Sequence, residues 1–462
     1  MSRRGGSVRR RPPNGRPSAG VVLRRRTALA GGLALLVVVV AIALASCGGG
    51  PNGSNGSNGS NGMSGMTGMS GMKGMTDTAG SRGASRVGRA SGGGPASGRG
   101  SAGHAQAPPI PPGGFSPLAP GRIPPLLDPA NVYAAERPGL LAAAVKHDPP
   151  LVYVPNSASD RVDVISQASG RIIRSFPVAH EPQHVTPSWD LRTLWVSSDL
   201  GNSLRRVDPR TGRAGRTLPV LDPYNLYFTA DGRRAIVVAE AHRELDFRDP
   251  QTMRLLHALP TPQCPGIDHA DYTADGRTAL FSCEFGGNMI VVDLVRERVV
   301  KTIPLRAAAM SMPQDVKLSP DGRTFYVADM MSNGVWLIDA HTWKVIRLQP
   351  TGQGAHGLYP SRDARTLYVT NRGEGSISLI SFATRRPYRR WRLPGHASPD
   401  MGGLSADGRV LWLSGRYNSE VYAIDTRSGQ LLHRIPVGSG PHGLAVWPQP
   451  GRYSIGHTGI LR

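Results

Sequence analysis

The sequence predicts an all-β fold, a seven-bladed β-propeller of four-stranded antiparallel blades closed by strands from both ends of the chain. Three observations lead there. A short strand-like phrase recurs seven times, at residues 151–154, 194–197, 236–239, 280–283, 325–328, 367–370 and 411–414. Six copies follow a turn containing an aspartate, and Asp190, Asp231, Asp275, Asp321, Asp363 and Asp407 are spaced by 41, 44, 46, 42 and 44 residues. Short alternating strands at a period of about 40–45 residues are what four-stranded blades produce. Finally, the first copy has no inner strand before Leu151, whereas residues 442–447 read as an inner strand with no complete blade after them. Joining the two makes the seventh blade and removes exposed sheet edges. Eight blades is the alternative, because residues 453–457 can supply another strand.

Within a repeat, each element follows from local chemistry. Residues 315–318 alternate polar and apolar, as a half-buried strand does. Ser319-Pro320-Asp321-Gly322 is a turn in which proline fixes one φ angle and glycine accepts the positive φ of a tight hairpin. Residues 325–328, 334–338 and 344–348 are the second, third and fourth strands. Asp339, like Asp208 and Asp425, stands between the last two, where its carboxylate can accept backbone N–H groups and cap the turn. No copy carries the Gly-His and Trp-Asp pairs of the WD repeat.

The phrases Tyr153-Val154-Pro155-Asn156, Tyr368-Val369-Thr370-Asn371 and Pro441-His442-Gly443-Leu444-Ala445-Val446 resemble the YVTN family of β-propeller repeat proteins. The resemblance spans residues 149–462 and implies the propeller fold. It also implies an extracytoplasmic or surface-associated protein, but no particular chemistry.

Ahead of the repeats lie two segments of other character. Residues 1–47 read as a signal peptide: Arg24-Arg25-Arg26, an apolar run over residues 33–45, then Leu44-Ala45-Ser46-Cys47. The last four residues look like a lipobox, with Cys47 as the lipidated residue, and Arg25-Arg26-Thr27-Ala28-Leu29 resembles a twin-arginine signal. An uncleaved anchor over residues 27–46 is the alternative, since that stretch is long enough to span a bilayer. Both readings place a membrane-attached domain in the cell envelope, on the extracytoplasmic side. Residues 48–130 are rich in Gly, Ser, Asn, Pro and Met, lack apolar periodicity and read as a disordered linker. Inside it Met63, Met66, Met69, Met72 and Met75 recur every third residue. Thioethers select Cu(I), so the array is a candidate copper-collecting linker; a low-complexity repeat without function is the alternative. Residues 131–462 are the propeller.

The net charge of +22 includes nine arginines and no acids in residues 1–46. The remainder is spread along the repeats with no basic stripe of interleaved aromatics, which argues against a nucleic-acid partner. Nor does any nucleophile elbow accompany the histidines, and the Asp–Gly turns each offer calcium too few oxygens. The expected function is therefore a non-catalytic, membrane-tethered scaffold presenting its channel mouth to a protein, glycan or small-molecule ligand outside the cell.

The competing expectation is a copper- or haem-binding redox protein. Inner strands line a propeller's channel, and residues six or seven before each turn aspartate stand at its mouth. These are Gln183/His184, Tyr224/Asn225, Asp268/His269, Gln314/Asp315, His356/Gly357, Asp400/Met401 and, in the closing blade, His442/Gly443. His184, His269, Asp315, His356, Met401 and His442 are the candidate ligands, since imidazoles converging on an axis suit zinc, copper or iron. The structural alternative makes Pro-His-Gly a repeat-consensus turn whose imidazole bonds a neighbouring blade. Cys264 and Cys283 fall in the fourth blade and are a candidate disulfide in an oxidising compartment. Their alternative is a thiolate metal site with His269 and Glu284.

Overall fold

The computed structural model describes residues 115–306, 310–457 and 459–462. Cys47, the apolar run before it and the methionine array at 63–75 lie outside the described residues. Seven antiparallel sheets follow one another around an axis, six of four strands and one of six. Their inner strands are Ala445–Trp447, Pro182–Pro187, Asn225–Phe228, Ile267–Tyr272, Pro313–Leu318, Ala355–Pro360 and Pro399–Leu404. We number the blades 1 to 7 in that order.

Blade 1 is the closure. Ala445–Trp447 pairs with Leu151–Asn156 in the register Leu151↔Trp447, Val152↔Val446 and Tyr153↔Ala445. The segment 453–457 makes no eighth blade. Ser454–Gly456 pairs instead with the inner strand of blade 3, and Ile460–Leu461 folds back on it, giving the six-stranded sheet. This C-terminal hairpin lies inside blade 3, with Tyr453, Ile455, Ile460 and Leu461 buried. Gly456 makes the approach possible: at φ +116, a Cβ there would meet the Tyr227 Cα at 2.4 Å.

Burial falls from the axis outward. Inner strands such as Pro313–Leu318 are buried at every position, while outer strands such as Arg386–Arg392 are almost wholly exposed. Between blades, the faces of the second and third strands pack Val, Ile, Leu and aromatic residues into shared clusters, for example Tyr326, Val335 and Leu337 against Leu358, Val369 and Ile380. Each such side chain contributes about 1.5–3 kcal/mol.

Side chains also staple adjacent inner strands. The Tyr227 hydroxyl accepts the Ala270 N–H at 2.8 Å, and Tyr359 accepts that of Gly402 at 2.7 Å. Asp271 accepts the Leu318 N–H at 2.8 Å and Asp315 the Leu358 N–H at 2.9 Å. The turn aspartates are structural punctuation. Asp190 Oδ1 accepts the Ser188 hydroxyl at 2.6 Å and the Arg192 N–H, and the turns at Asp231, Asp275, Asp321, Asp363 and Asp407 repeat the arrangement. Asp339 caps the outer hairpin by accepting the His341 and Thr342 N–H groups.

The folded chain extends further toward the N-terminus than residue 131. Phe115 is buried, Gly121 donates its N–H to Asp231 O, and Val132 donates to Pro320 O. This strap thus crosses the face that carries the Asp–Gly turns, opposite the blade-to-blade loops. It is anchored by Tyr133, whose hydroxyl donates to Leu318 O at 2.6 Å, and by a buried Glu136–Arg362 ion pair at 2.9 Å. Cys264 and Cys283 are joined in a disulfide. Neither therefore offers a thiolate to His269 or Glu284, which removes the cysteine metal site as a reading.

Candidate functional site

A regular strand sends successive side chains to opposite faces. Here the inner strands depart from that rule where the candidate residues lie. The pairing register breaks between Pro182 and His184, Ile267 and Ala270, Pro313 and Val316, Ala355 and Leu358, and Pro399 and Gly402. Such bulges re-aim side chains, and in blades 4 to 7 they take in Asp268–His269, Gln314–Asp315, His356–Gly357 and Asp400–Met401. Hydroxyls on the second strand support the irregular backbone: Ser282 Oγ accepts the His269 N–H at 2.9 Å, and Thr370 Oγ1 accepts that of Gly357 at 2.7 Å.

Two tiers result. One holds His356, Asp400 and His442, and the other His184 and His269, joined by His457 from the C-terminal hairpin. In each group one donor atom per residue lies within 4.8 Å of the others, and all six residues are buried. The tiers adjoin, with ring centroids 4.8 Å apart for His184–His442 and 6.2 Å for His269–His356. Within the second group the centroids are 4.7 to 5.4 Å apart.

The second group presents three ring nitrogens to one point. Nε2 of His184, His269 and His457 is buried without a hydrogen-bond partner on all three rings. His184 donates Nδ1–H to Tyr224 O at 3.0 Å, which leaves the Nε2 lone pair free. The Asn225 amide nitrogen donates to Nδ1 of His269 at 3.0 Å and of His457 at 3.2 Å. For those two rings to offer Nε2, the Asn225 amide must turn and accept from both. Asp268 stands 3.3 Å from His269 Nδ1 as a further acceptor. Gly443 is the space-maker, since a Cβ there would meet His184 Cδ2 at 2.1 Å.

Burial depresses the affinity of all five imidazoles for protons. It takes His184 down to about 4, helped by the Arg416 charge, and holds His269, His356, His442 and His457 well below the ordinary value. At neutral pH the rings are uncharged, as a metal ligand must be.

Four of the six sequence candidates meet in these groups: His184, His269, His356 and His442. Asp315 lies in the His184 tier, but its carboxylate already accepts Leu358 N–H, Val316 N–H and the Lys317 ammonium, leaving its Oδ1 3.7 Å from His457 Nε2. Met401 is buried in that tier and belongs to neither group. His180, from a similar loop, is exposed and pairs with Asp160 at 3.0 Å. Two members were missed. Asp400 was passed over for its neighbour Met401, and His457 comes from a segment whose place in the channel no repeat could reveal.

A ring around the mouth was missed as well. The residues directly after the second strands are Ser157, Asp199, Glu240, Glu284, Met330, Arg372 and Arg416. Acids thus occupy blades 2 to 4 and guanidiniums blades 6 and 7. Burial, with Asp222 close by, raises Asp199 to about 9; burial and the neighbouring acids raise Glu240 to about 8. Arg372 donates to Asp400 Oδ1 at 3.1 Å, and Arg416 Nη1 is buried with no partner.

Residues 126–450 match the YNCE-like β-propeller family. The chain belongs to that family. Within it, the YncE proteins of Salmonella typhi and Salmonella typhimurium are each 27% identical over 168 residues, covering 35% of this chain and 44% of theirs. The dihydro-heme d1 dehydrogenase of Pseudomonas aeruginosa is 22% identical over 277 residues, 58% of this chain and 53% of that enzyme. The chain thus matches about half, or less, of the length of these relatives. Among solved structures, this YNCE-like propeller is similar to the dihydro-heme d1 dehydrogenase NirN in complex with DHE, with TM-score 0.51, 18% identity and coverage of 67% and 77%. A functionally unknown protein from Desulfotomaculum acetoxidans gives TM-score 0.55 at 12% identity, covering 64% of this chain and 98% of that one. Likeness at these identities speaks for the fold alone.

Proposed function

We propose that this propeller is an envelope metal-binding protein that holds a first-row transition-metal ion on His184, His269 and His457. The observation that carries the reading is the set of three buried, unpartnered Nε2 atoms on rings converging at the axis. An unsatisfied buried polar atom costs about 1–3 kcal/mol, and three together at one point are what a cation would repay. Imidazole donors suit zinc, copper, nickel or iron, and copper heads the affinity order among divalent ions. The methionine array at 63–75 supports copper as the physiological ion, as a Cu(I) collector on the same chain. Ion-to-nitrogen distances of about 2.0–2.1 Å require the donor nitrogens to stand ~3.3 Å apart, so the rings must draw inward on loading.

The haem form of the redox reading fits less well. The dihydro-heme d1 dehydrogenase shares the fold, but here five imidazoles with centroids 4.7–6.2 Å apart and the C-terminal hairpin fill the axis. That spacing favours an ion over a macrocycle at the same place. The scaffold reading shares the mouth with the metal reading: Leu200, Phe285 and Tyr417 stand exposed beside Asp199, Glu284 and Arg416 as surface for a ligand or partner. In this proposal the domain works outside the cytoplasmic membrane, tethered through lipidated Cys47, and the Cys264–Cys283 disulfide accords with an oxidising compartment.

The test is elemental analysis of the full chain purified from its host's envelope, alongside His457→Gln. Retained transition metal in the parent, and loss of an ion in the variant with the fold intact by circular dichroism, is the expected result. A folded parent that takes up neither Cu(II) nor Zn(II) would end the reading.

A further inference from the structure

We propose that the axis carries a second, chemically distinct metal site formed by His356, Asp400 and His442, so that the loaded centre holds two ions. The inference rests on the His184/His269/His457 reading for the first ion and adds a site with different donors.

The geometry of this tier is that of an incomplete coordination shell. One donor atom from each of the three residues lies within 4.8 Å of the other two. His442 donates Nδ1–H to Gln183 Oε1 at 3.0 Å, which fixes Nε2 as the lone-pair nitrogen, 3.7 Å from Asp400 Oδ2. The carboxylate is divided. Its Oδ1 accepts from Arg372 Nη1 at 3.1 Å, while Oδ2 is buried with no partner. His356 Nδ1 is also without a hydrogen-bond partner, 3.0 Å from Asp400 Oδ1. A buried carboxylate oxygen without a partner, on the same carboxylate that His356 Nδ1 approaches, is costly, and a cation bound there would relieve it. Gln183 and Arg372 then act as the outer partners that orient His442 and Asp400.

The donor set differs from that of the first site. Two imidazoles and one carboxylate form the ligand type that leaves coordination positions open, whereas the other group offers imidazoles alone. Beside it, Arg416 Nη1 is buried and unpartnered, and its charge reaches both His442 and Asp400. The open positions therefore suit water or a small anion. Two cations at adjoining tiers need nearby negative charge, which Asp400 supplies as a ligand.

The experiment is metal stoichiometry by mass spectrometry on the full chain, stripped with chelator and reloaded separately with Cu(II) and Zn(II). Two ions per chain are expected in the parent. Asp400→Asn and His442→Gln should each retain one ion, His457→Gln should retain one, and the His442→Gln/His457→Gln double variant none. One ion in the parent, unchanged by Asp400→Asn or His442→Gln and lost with His457→Gln, overturns the second site and leaves the first standing. No ion in a folded parent overturns both. Should the variants not fold, electron paramagnetic resonance of the Cu(II)-loaded parent decides. Magnetic coupling that emerges between one and two equivalents supports adjoining ions; an isolated-ion signal that saturates at one equivalent rejects them.

Discussion

Gly443, two residues before the closing strand of blade 1, leaves the space that the His184 ring of blade 2 occupies: a Cβ at position 443 would meet Cδ2 of that ring at 2.1 Å. The seam where the chain's two ends meet thereby sets the position of one donor. Gly443→Ala must push His184 aside or shift the strand, at a cost of about 1–3 kcal/mol. The expected outcome is a folded protein of lower thermal midpoint that retains less than half of the parent's first ion by elemental analysis.

The C-terminal hairpin should couple ion binding to stability. Its Ile455 is buried against the blade 3 core, so Ile455→Ala should cost about 2–5 kcal/mol. Because the hairpin brings His457 to the axis, the same change should weaken Zn(II) affinity at least tenfold by titration. Bound Zn(II) should in turn protect the hairpin amides in hydrogen exchange.

At the mouth, protonation should govern the stability of the metal-free protein. Glu240 is raised from 4.5 to about 8, mainly by burial and then by Glu284 and Asp222. A carboxyl raised on folding costs nothing below its unfolded value and opposes folding increasingly as pH rises toward the folded one. Chelator-treated Glu240→Gln should therefore match the parent in thermal midpoint near pH 4.5 and exceed it progressively toward pH 8, levelling off above. Differential scanning calorimetry across that range checks the sign.

Reduction of the Cys264–Cys283 bond, or Cys264→Ala/Cys283→Ala, opens a loop closed across 19 residues. The expected loss is about 3 kcal/mol, read as a lower urea midpoint, with ion stoichiometry unchanged because no thiolate takes part.

The inter-blade staples should behave as structure alone. Tyr359→Phe removes the acceptor of the buried Gly402 N–H, at about 1–3 kcal/mol, without altering metal content.

Much of the fold was legible because a propeller repeats its instructions. The Asp–Gly turns, the alternation in 315–318 and the unpaired termini at Leu151 and Trp447 each point to the same blade. The site was half legible. Counting back from the turns found His184, His269, His356 and His442, since the repeat fixes where an inner strand begins. It also placed Asp400 at the mouth, but the candidate ligand taken there was its neighbour Met401, because the bulge between Pro399 and Gly402 arises from backbone pairing rather than from a residue type. His457 escaped for another reason: residues 453–457 read as one more strand, and only packing decides that the strand fills the channel. Asp315 stands in the expected place, with its carboxylate engaged by Lys317 and the Leu358 N–H.

The most direct measurement is anomalous X-ray scattering from crystals of the metal-loaded protein, collected at the absorption edge of the ion supplied. The account predicts a peak about 2.0–2.1 Å from one nitrogen each of His184, His269 and His457. A well-ordered axis with no anomalous peak there, and with those nitrogens bridged by water, would contradict it.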